Sequence, residues 1–366
     1  MRVVIIGGGV IGTLLGALLT INDVNFVIVD ADLQRPRAPL IHSVLLRIPS
    51  DVELARISRD VYGEISQYFN VDIMVDVPSI TIVPSSCFGE LKNLINLWNS
   101  AGAKMEFIEE RHAIRGVVNG EVMVMARGGD HLIRIQRLME RLRERPNFIR
   151  GRASLKLVGN ELRVIVNGEV LKGDYVILAS GAWNSLLIKS LGLNAPLKPY
   201  KCQAAAFMTM RGLGFIVYDY VLGMYMRPLD ATAFREHIVV AGDGNAAIKG
   251  LGAGDGVDPW FTEEITRKVR LRLGVALPVA SRYGYCELTP DTLPLVGPWG
   301  VDDLYVIGGF DGYAAEVGPA LAKALVNYII RGTWDDYAKA YLTTRFLGGW
   351  PSDWGIGVEA HELCVG

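Results

Sequence analysis

Gly7, Gly9 and Gly12 stand in GxGxxG spacing near the start of the chain. That spacing can seat a pyrophosphate. The first glycine makes a tight turn, the second lets backbone amides approach the phosphates, and the third lets a helix pack on its strand. Asp30 follows 23 positions after Gly7, close to the ~20 expected for a carboxylate that bonds a ribose hydroxyl. An acid there argues against a 2′-phosphate. Far along the chain, Gly308 and Gly309, followed by Phe310, Asp311 and Gly312, form a second glycine corner.

Both corners need strands and helices to hold them. Residues 2–6, RVVII, are apolar on both faces, which predicts a buried parallel strand. VIGTLLGALL continues as a helix whose N-terminal end faces the phosphates, and VNFVIVD is a second strand ending at Asp30. DLYVIGG predicts a strand running into the second corner. VGPALAKALVNYII predicts the following helix, with Pro319 near its first turn. A nicotinamide dinucleotide has no obvious use for this second unit. A flavin has: a helix N-terminus stabilises the negative charge of the reduced ring, and glycines let backbone lie close to it.

Between these ends, residues 51–69 and 88–102 show helical periodicity, and VDIMVDVPSITIVPSS and EVMVMARGG read as strands. GGDHLIRIQRLMERLRERPNF reads as a basic amphipathic helix with a solvated arginine face. Asn167-Gly168 is a hairpin turn, followed by a strand over 175–179 that ends on Ser180 and Gly181. Short β runs fill about 200–285, and KGLGAGDGVDP reads as a mobile loop without the ending of a P-loop. The pattern implies an α/β fold. A Rossmann-like domain is built from 1–75, 126–195 and 286–345. An antiparallel β-rich substrate domain is inserted as 76–125 and 196–285, and a tail spans 346–366.

The segments GGGVIG, YVILASGAWNSLL, YMRPLD, LTPDTLPLVG and YVIGGFDGYAAEVGPALAKAL occur in this order. So arranged, the chain resembles the D-amino-acid oxidase family of flavoproteins over nearly its whole length. That group includes glycine and sarcosine oxidases, D-amino-acid dehydrogenases and archaeal proline dehydrogenases. The resemblance implies FAD and oxidation of an amino or imino acid, by hydride transfer from the α-carbon to flavin N5. The residues expected to hold FAD are Gly7, Gly9, Val10, Ile11, Gly12, Asp30, Ala31, His42, Ser43, Ala153, Ser180, Gly181, Trp183, Gly308, Gly309, Phe310, Asp311, Gly312 and Tyr313. Sarcosine oxidase ties its flavin to a cysteine where this chain has Gly284, so non-covalent FAD is expected.

A substrate carboxylate needs a cation, and the arginine fork fits it. Arg227, in YMRP beside Tyr225, is the first choice, and Arg47 the second. Tyr218, Tyr225 and Tyr313 are candidates for the pocket wall. Two anchors known in relatives are replaced here by Cys286 and Glu316. Glu316 is a candidate to bind the substrate ammonium group or take its proton. Two other readings stay open: a 2-hydroxy-acid or glycerol-phosphate type dehydrogenase, and a flavin-carrying subunit of a larger complex.

The bulk numbers agree with a large enzyme. The chain has 366 residues, 50% hydrophobic, with a formal charge of −2, which offers nucleic acid no basic surface. Four separated cysteines without a CxxC pair indicate no metal knuckle, and a reduced intracellular compartment is the default. Glycines break the first apolar run, so neither a signal peptide nor a transmembrane segment is expected, and a cytoplasmic location is. The aromatic tail carries Trp350 and Trp354, which need cover, so an interface with a second copy or a partner is expected there.

Overall fold

The computed structural model describes residues 1–108, 114, 117, 120–159, 161–230, 237–243, 251, 256–354 and 363. Most of the expected glycine-rich loop at 249–259 lies outside the described residues.

A six-stranded sheet carries the amino terminus. Its order is β19 (Leu295–Pro298), β20 (Leu304–Gly308), β13 (Tyr175–Leu178), β1 (Arg2–Ile6), β2 (Asn25–Asp30) and β9 (Phe148–Arg150). All neighbours are parallel except β19 with β20. β1 sits inside this sheet, which is why its residues are apolar on both faces. Val3 and Ile5 join the core built by α1 (Val10–Ile21), α2 (Pro49–Phe69), α4 (Ile135–Arg143) and α7 (Ala314–Arg331). Val4 and Ile6 turn to the other side. There they meet a three-stranded meander of β10 (Ala153–Val158), β11 (Glu161–Val166) and β12 (Glu169–Leu171). Asn167 and Gly168 both have positive φ, 53° and 87°, as a two-residue hairpin turn requires.

The second large sheet has eight strands. Their order is β18 (Ala276–Leu288), β14 (Lys198–Thr209), β17 (Ile238–Gly242), β16 (Met224–Pro228), β15 (Ile216–Asp219), β5 (Ser79–Pro84), β7 (Glu121–Ala126) and β6 (Met105–Phe107). It is antiparallel except at β15 with β5. One face packs on α6 (Pro259–Leu273), where Phe261, Ile265 and Val269 meet Ile80, Phe207, Val217 and Met226. Arg272 of α6 reaches Asp219 at 2.7 Å and Glu121 at 2.9 Å, fixing the helix to β15 and β7. A small sheet of β3 (Leu40–His42), β8 (His131–Ile133) and β4 (Met74–Asp76) and the surface helix α3 (Phe88–Ser100) complete the fold.

Three expectations are corrected. The basic helix is short, only Ile135–Arg143, because β8 and β9 claim its flanks. Its arginine face is not simply solvated. Arg143 pairs with Asp30 at 2.8 Å, Arg145 with Thr20 at 3.1 Å, and Arg141 with the Phe69 carbonyl. Pro319 lies inside α7 rather than in its first turn, since the helix begins at Ala314. The Ala315 carbonyl that proline leaves without an amide donor accepts the Tyr62 hydroxyl at 3.0 Å instead. The cysteines are not all reduced: Cys87 is disulfide-bonded, while Cys202 and Cys286 are free thiols. Spacing along the chain carries no information about such a through-space pairing. In the tail, Trp350 packs on Trp299 and Phe346 at ring distances of 6.0 and 6.3 Å. Lys198 lies 4.2 Å over the Trp354 ring. Among the described residues no helix is long and apolar enough to cross a membrane.

Candidate active site

A cavity of about 1600 Å³ opens between the two large sheets. It exceeds the ~300–1,000 Å³ of a pocket for one small ligand. Both glycine corners line it, Gly7 and Gly9 at one place and Gly308, Gly309 and Gly312 at another.

The first corner is shaped for close approach. Gly7 has φ +110°, and a Cβ there would lie 2.4 Å from the Ala179 carbonyl oxygen. A Cβ on Gly12 would lie 1.7 Å from the Gly7 oxygen, so the α1 backbone rests directly on the turn. Gly9 differs: a Cβ there would meet nothing within 4 Å, so its bare face looks into open space. No side chain caps α1 and no acid occupies its first turn, which leaves its amide donors for a ligand. Asp30 also lines the cavity and is held by Arg143, with the Asp32 amide donating to its Oδ1 at 3.1 Å.

The second corner uses its glycines differently. A Cβ on Gly308 would lie 2.5 Å from Glu287 Oε2 and 2.6 Å from Asn184 Nδ2. One on Gly309, at φ +69°, would lie 2.5 Å from Thr289 Cγ2. Asn184 accepts from the Ser180 amide at 2.9 Å and hydroxyl at 2.7 Å, and donates to Glu287 at 3.1 Å. The Gly309 amide donates to the same Glu287 carboxylate at 3.2 Å. Burial pushes the Glu287 carboxyl up to about 8, against the pull of these donors. Sequence reading missed Asn184 and Glu287. Their signal is a polar residue inside the apolar runs WNSLL and CELTP.

The eight-stranded sheet forms the opposite wall. Tyr218 stands opposite Tyr225, and Tyr225 opposite Gly242, whose missing side chain leaves room for the Tyr225 ring. On the same face, two residues along β16, is Arg227, opposite Val240. Arg227 is 6% exposed and donates through Nη1 to the Pro228 carbonyl at 2.9 Å. Burial lowers its pKa, while Tyr225 and Asp230 oppose that shift. Cys202 and Cys286 extend this face on β14 and β18, lining the cavity.

The expected residues sort cleanly by place. Val10, Ile11, Ala31, Ser43, Ala153, Ser180, Gly181, Trp183, Phe310, Asp311, Tyr313, Tyr225, Arg227 and Glu316 line the cavity with the glycines already named. Gly12 lies behind the turn. His42 is fully buried away from the cavity, bonded to the Ala55 carbonyl at 2.9 Å and to His131 at 3.2 Å. Burial, with His131 adding, takes its pKa down to about 3, so the ring is neutral. Arg47 is also elsewhere, 42% exposed and 3.5 Å from Glu90.

A model of the DAO family, FAD dependent oxidoreductase, matches residues 2–328. The chain belongs to this family. The fold is shared with L-proline dehydrogenase from P. horikoshii, at a TM-score of 0.82 and 17% identity over 96% of this chain and 99% of that one. Glycine oxidase from Geobacillus kaustophilus gives 0.77 and 19% over 94% and 99%. In sequence, a glycine oxidase of Pseudomonas aeruginosa is 28% identical over 168 residues, 44% of this chain and 42% of that protein. The chain is thus an FAD-dependent oxidoreductase, and the uncapped α1 terminus with the open face of Gly9 fits the FAD diphosphate.

Proposed function

We propose that this DAO-family enzyme oxidises an amino or imino acid. The observation that carries the reading is a pair of opposite recognition groups on one cavity. Arg227, buried and pre-oriented by the Pro228 carbonyl, suits a carboxylate. Glu316, in the first turn of α7, presents an Oε2 that no donor satisfies and suits an ammonium group. A zwitterionic donor meets both with opposite charge, whereas a 2-hydroxy acid offers the second only a neutral hydroxyl donor.

Gly7, Gly9 and the α1 terminus would hold the diphosphate and Asp30 a ribose, non-covalently. Bound FAD supplies the acceptor for a hydride from the carbon bearing nitrogen. The chain's own residues anchor the carboxylate at Arg227, wall the site with Tyr225 and Tyr218, and receive the ammonium group at Glu316.

Anaerobic bleaching of the yellow holoenzyme by D-proline, L-proline, sarcosine, glycine and lactate tests this. Reduction by at least one amine, and its loss in Arg227→Ala with FAD content kept, is expected. Reduction by lactate alone overturns the reading.

A further inference from the structure

We propose that Asp130, Ser43 and Tyr218 form with Glu316 a buried relay that draws the ammonium proton of an amine substrate from the cavity wall into the interior. The inference rests on the amine reading above. The observation behind it is a concentration of orphaned polar atoms.

Among the described residues, the buried side-chain atoms without a hydrogen-bond partner include both oxygens of Asp130, the hydroxyls of Ser79, Thr81 and Tyr218, and Glu316 Oε2. Strand register brings the hydroxyls together. Tyr218 of β15 stands opposite Thr81 of β5, and Ser79 lies two residues away on the same face. Asp130 comes from the turn before β8, whose backbone joins this edge: the Val77 amide donates to the Asp130 carbonyl at 3.2 Å. Ser79, Thr81 and Asp130 are each no more than 1% exposed. Buried polar atoms in folded proteins are paired, with water where protein is absent, so a corner this rich in acceptors and hydroxyls is built for mobile protons.

The two acids differ in their access to the cavity. Glu316 lines the cavity and Asp130 does not. Burial pushes Glu316 up to about 8, with the Asp130 charge adding to the rise. Burial pushes Asp130 up to about 7, partly offset by the hydroxyls of Ser43 and Ser79 that face it. Tyr218 and Ser43 both line the cavity, and burial, with the Asp130 and Glu316 charges adding, pushes the Tyr218 phenol up. The other titratable groups facing Glu316 are the phenols of Tyr62 on α2 and Tyr313 before α7. His42 and His131, next along the chain to Ser43 and Asp130, both have lowered pKa values, first through burial. Among the described residues, no cation lowers either carboxyl.

The proposed step moves one proton and no electrons. The substrate N–H bond breaks, leaving the nitrogen lone pair free, and an O–H bond forms at the Glu316 carboxylate. The proton then passes by exchange at the Tyr218 and Ser43 hydroxyls to the Asp130 carboxylate, which frees Glu316 during the reaction. After product leaves, the same path returns that proton to solvent in the cavity and restores both carboxylates.

Infrared titration of the holoenzyme between pH 5 and 10 reads the relay without any substrate. A protonated buried carboxyl band should be lost in part in Asp130→Asn and in part in Glu316→Gln. In Asp130→Asn the remaining Glu316 component should titrate about one pH unit lower, a tenfold change in acidity, because its like-charged neighbour is gone. Tyr218→Phe keeps the ring and checks the connection where Asp130→Asn fails to fold. With an amine that bleaches the flavin, reductive half-reaction rates should rise with pH through the Glu316 titration. Tyr218→Phe should lower the neutral-pH rate by about tenfold or more, and in Asp130→Asn the pH–rate profile should move about one pH unit lower with the Glu316 titration. If no amine bleaches the flavin, the donor reading fails while the infrared coupling still reports on the pair. An unmoved Glu316 band in Asp130→Asn, or pH–rate profiles unchanged in both variants, overturns the relay.

Discussion

The two glycine corners look alike in sequence and work differently in space. At the first, Gly7 and Gly12 are occupied by backbone against backbone, and Gly9 alone opens into the cavity. At the second, Gly308 and Gly309 make room for Glu287, Asn184 and Thr289, not for open space. The lesson is that a glycine near a ligand has two uses, approach by the ligand and approach by the protein, and spacing alone does not separate them. The first corner has a ligand-facing glycine backed by two structural ones. The second is a polar joint between β20, β18 and the turn after β13.

The largest effect that sharpens this contrast belongs to Gly12→Ala. A Cβ 1.7 Å from the Gly7 oxygen has no flexible partner to move aside, so α1 must lift from its strand. We expect a loss of about 4 kcal/mol or more, or no folded protein. Gly9→Ala should do the reverse: apoprotein stability within about 1 kcal/mol of the parent, but FAD affinity reduced by more than about tenfold, or 1.4 kcal/mol. Chemical denaturation of apoprotein and flavin fluorescence titration measure the two quantities. Equal effects of both substitutions on folding would break the distinction.

At the second corner the expected signature is pH dependence. Glu287 rises from its ordinary 4.5 to about 8 on folding, so the native state holds that proton more tightly than the unfolded chain. Its contribution is complete below about pH 4.5 and is lost as pH rises through about 8. Unfolding free energy should therefore fall across that window, with Glu316, also near 8, adding to the slope. Glu287→Gln should flatten part of it, as measured by urea midpoints at pH 5, 6.5 and 8. A slope that survives this substitution in full would remove Glu287 as its source.

A smaller effect is expected from Gly308→Ala. The atoms its Cβ would meet, Glu287 Oε2 and Asn184 Nδ2, end side chains that can shift, unlike the backbone at Gly12. A cost of about 1–3 kcal/mol follows, with FAD retained. A larger loss than Gly12→Ala would invert the comparison.

How much of this was legible in sequence follows the same division. Strands and helices with clear periodicity, such as 51–69 and the RVVII strand, emerge where local pattern and burial agree. The fold and the flavin followed from the order of segments along the chain. What stayed hidden depends on pairs distant in sequence. Asp30 and Arg143 meet through the β2–α4 packing. Asp130 gains its importance only when Tyr218 and Ser79 are brought beside it by β15 and β5. Of His42 and Arg47, chosen from their neighbourhood in the chain, His42 points away because adjacent residues of a strand face opposite ways, and Arg47 turns to Glu90 at the surface.

The mildest test concerns the helix behind the second corner. Pro319 cannot donate to the Ala315 carbonyl four residues earlier, and the Tyr62 hydroxyl donates instead at 3.0 Å. Ser58 similarly accepts from the Ala320 amide at 3.1 Å, so α2 supplies partners on both sides of the interruption. Tyr62→Phe should cost about 1 kcal/mol, the net worth of a buried hydrogen bond whose acceptor is left alone. Pro319→Ala restores an amide donor to that carbonyl, so in its background Tyr62→Phe should cost no more than about half as much. The two substitutions form a double-mutant cycle measured by denaturant midpoints. Strict additivity would show that Ala315 is satisfied without Tyr62, and that α2 holds α7 by apolar packing alone.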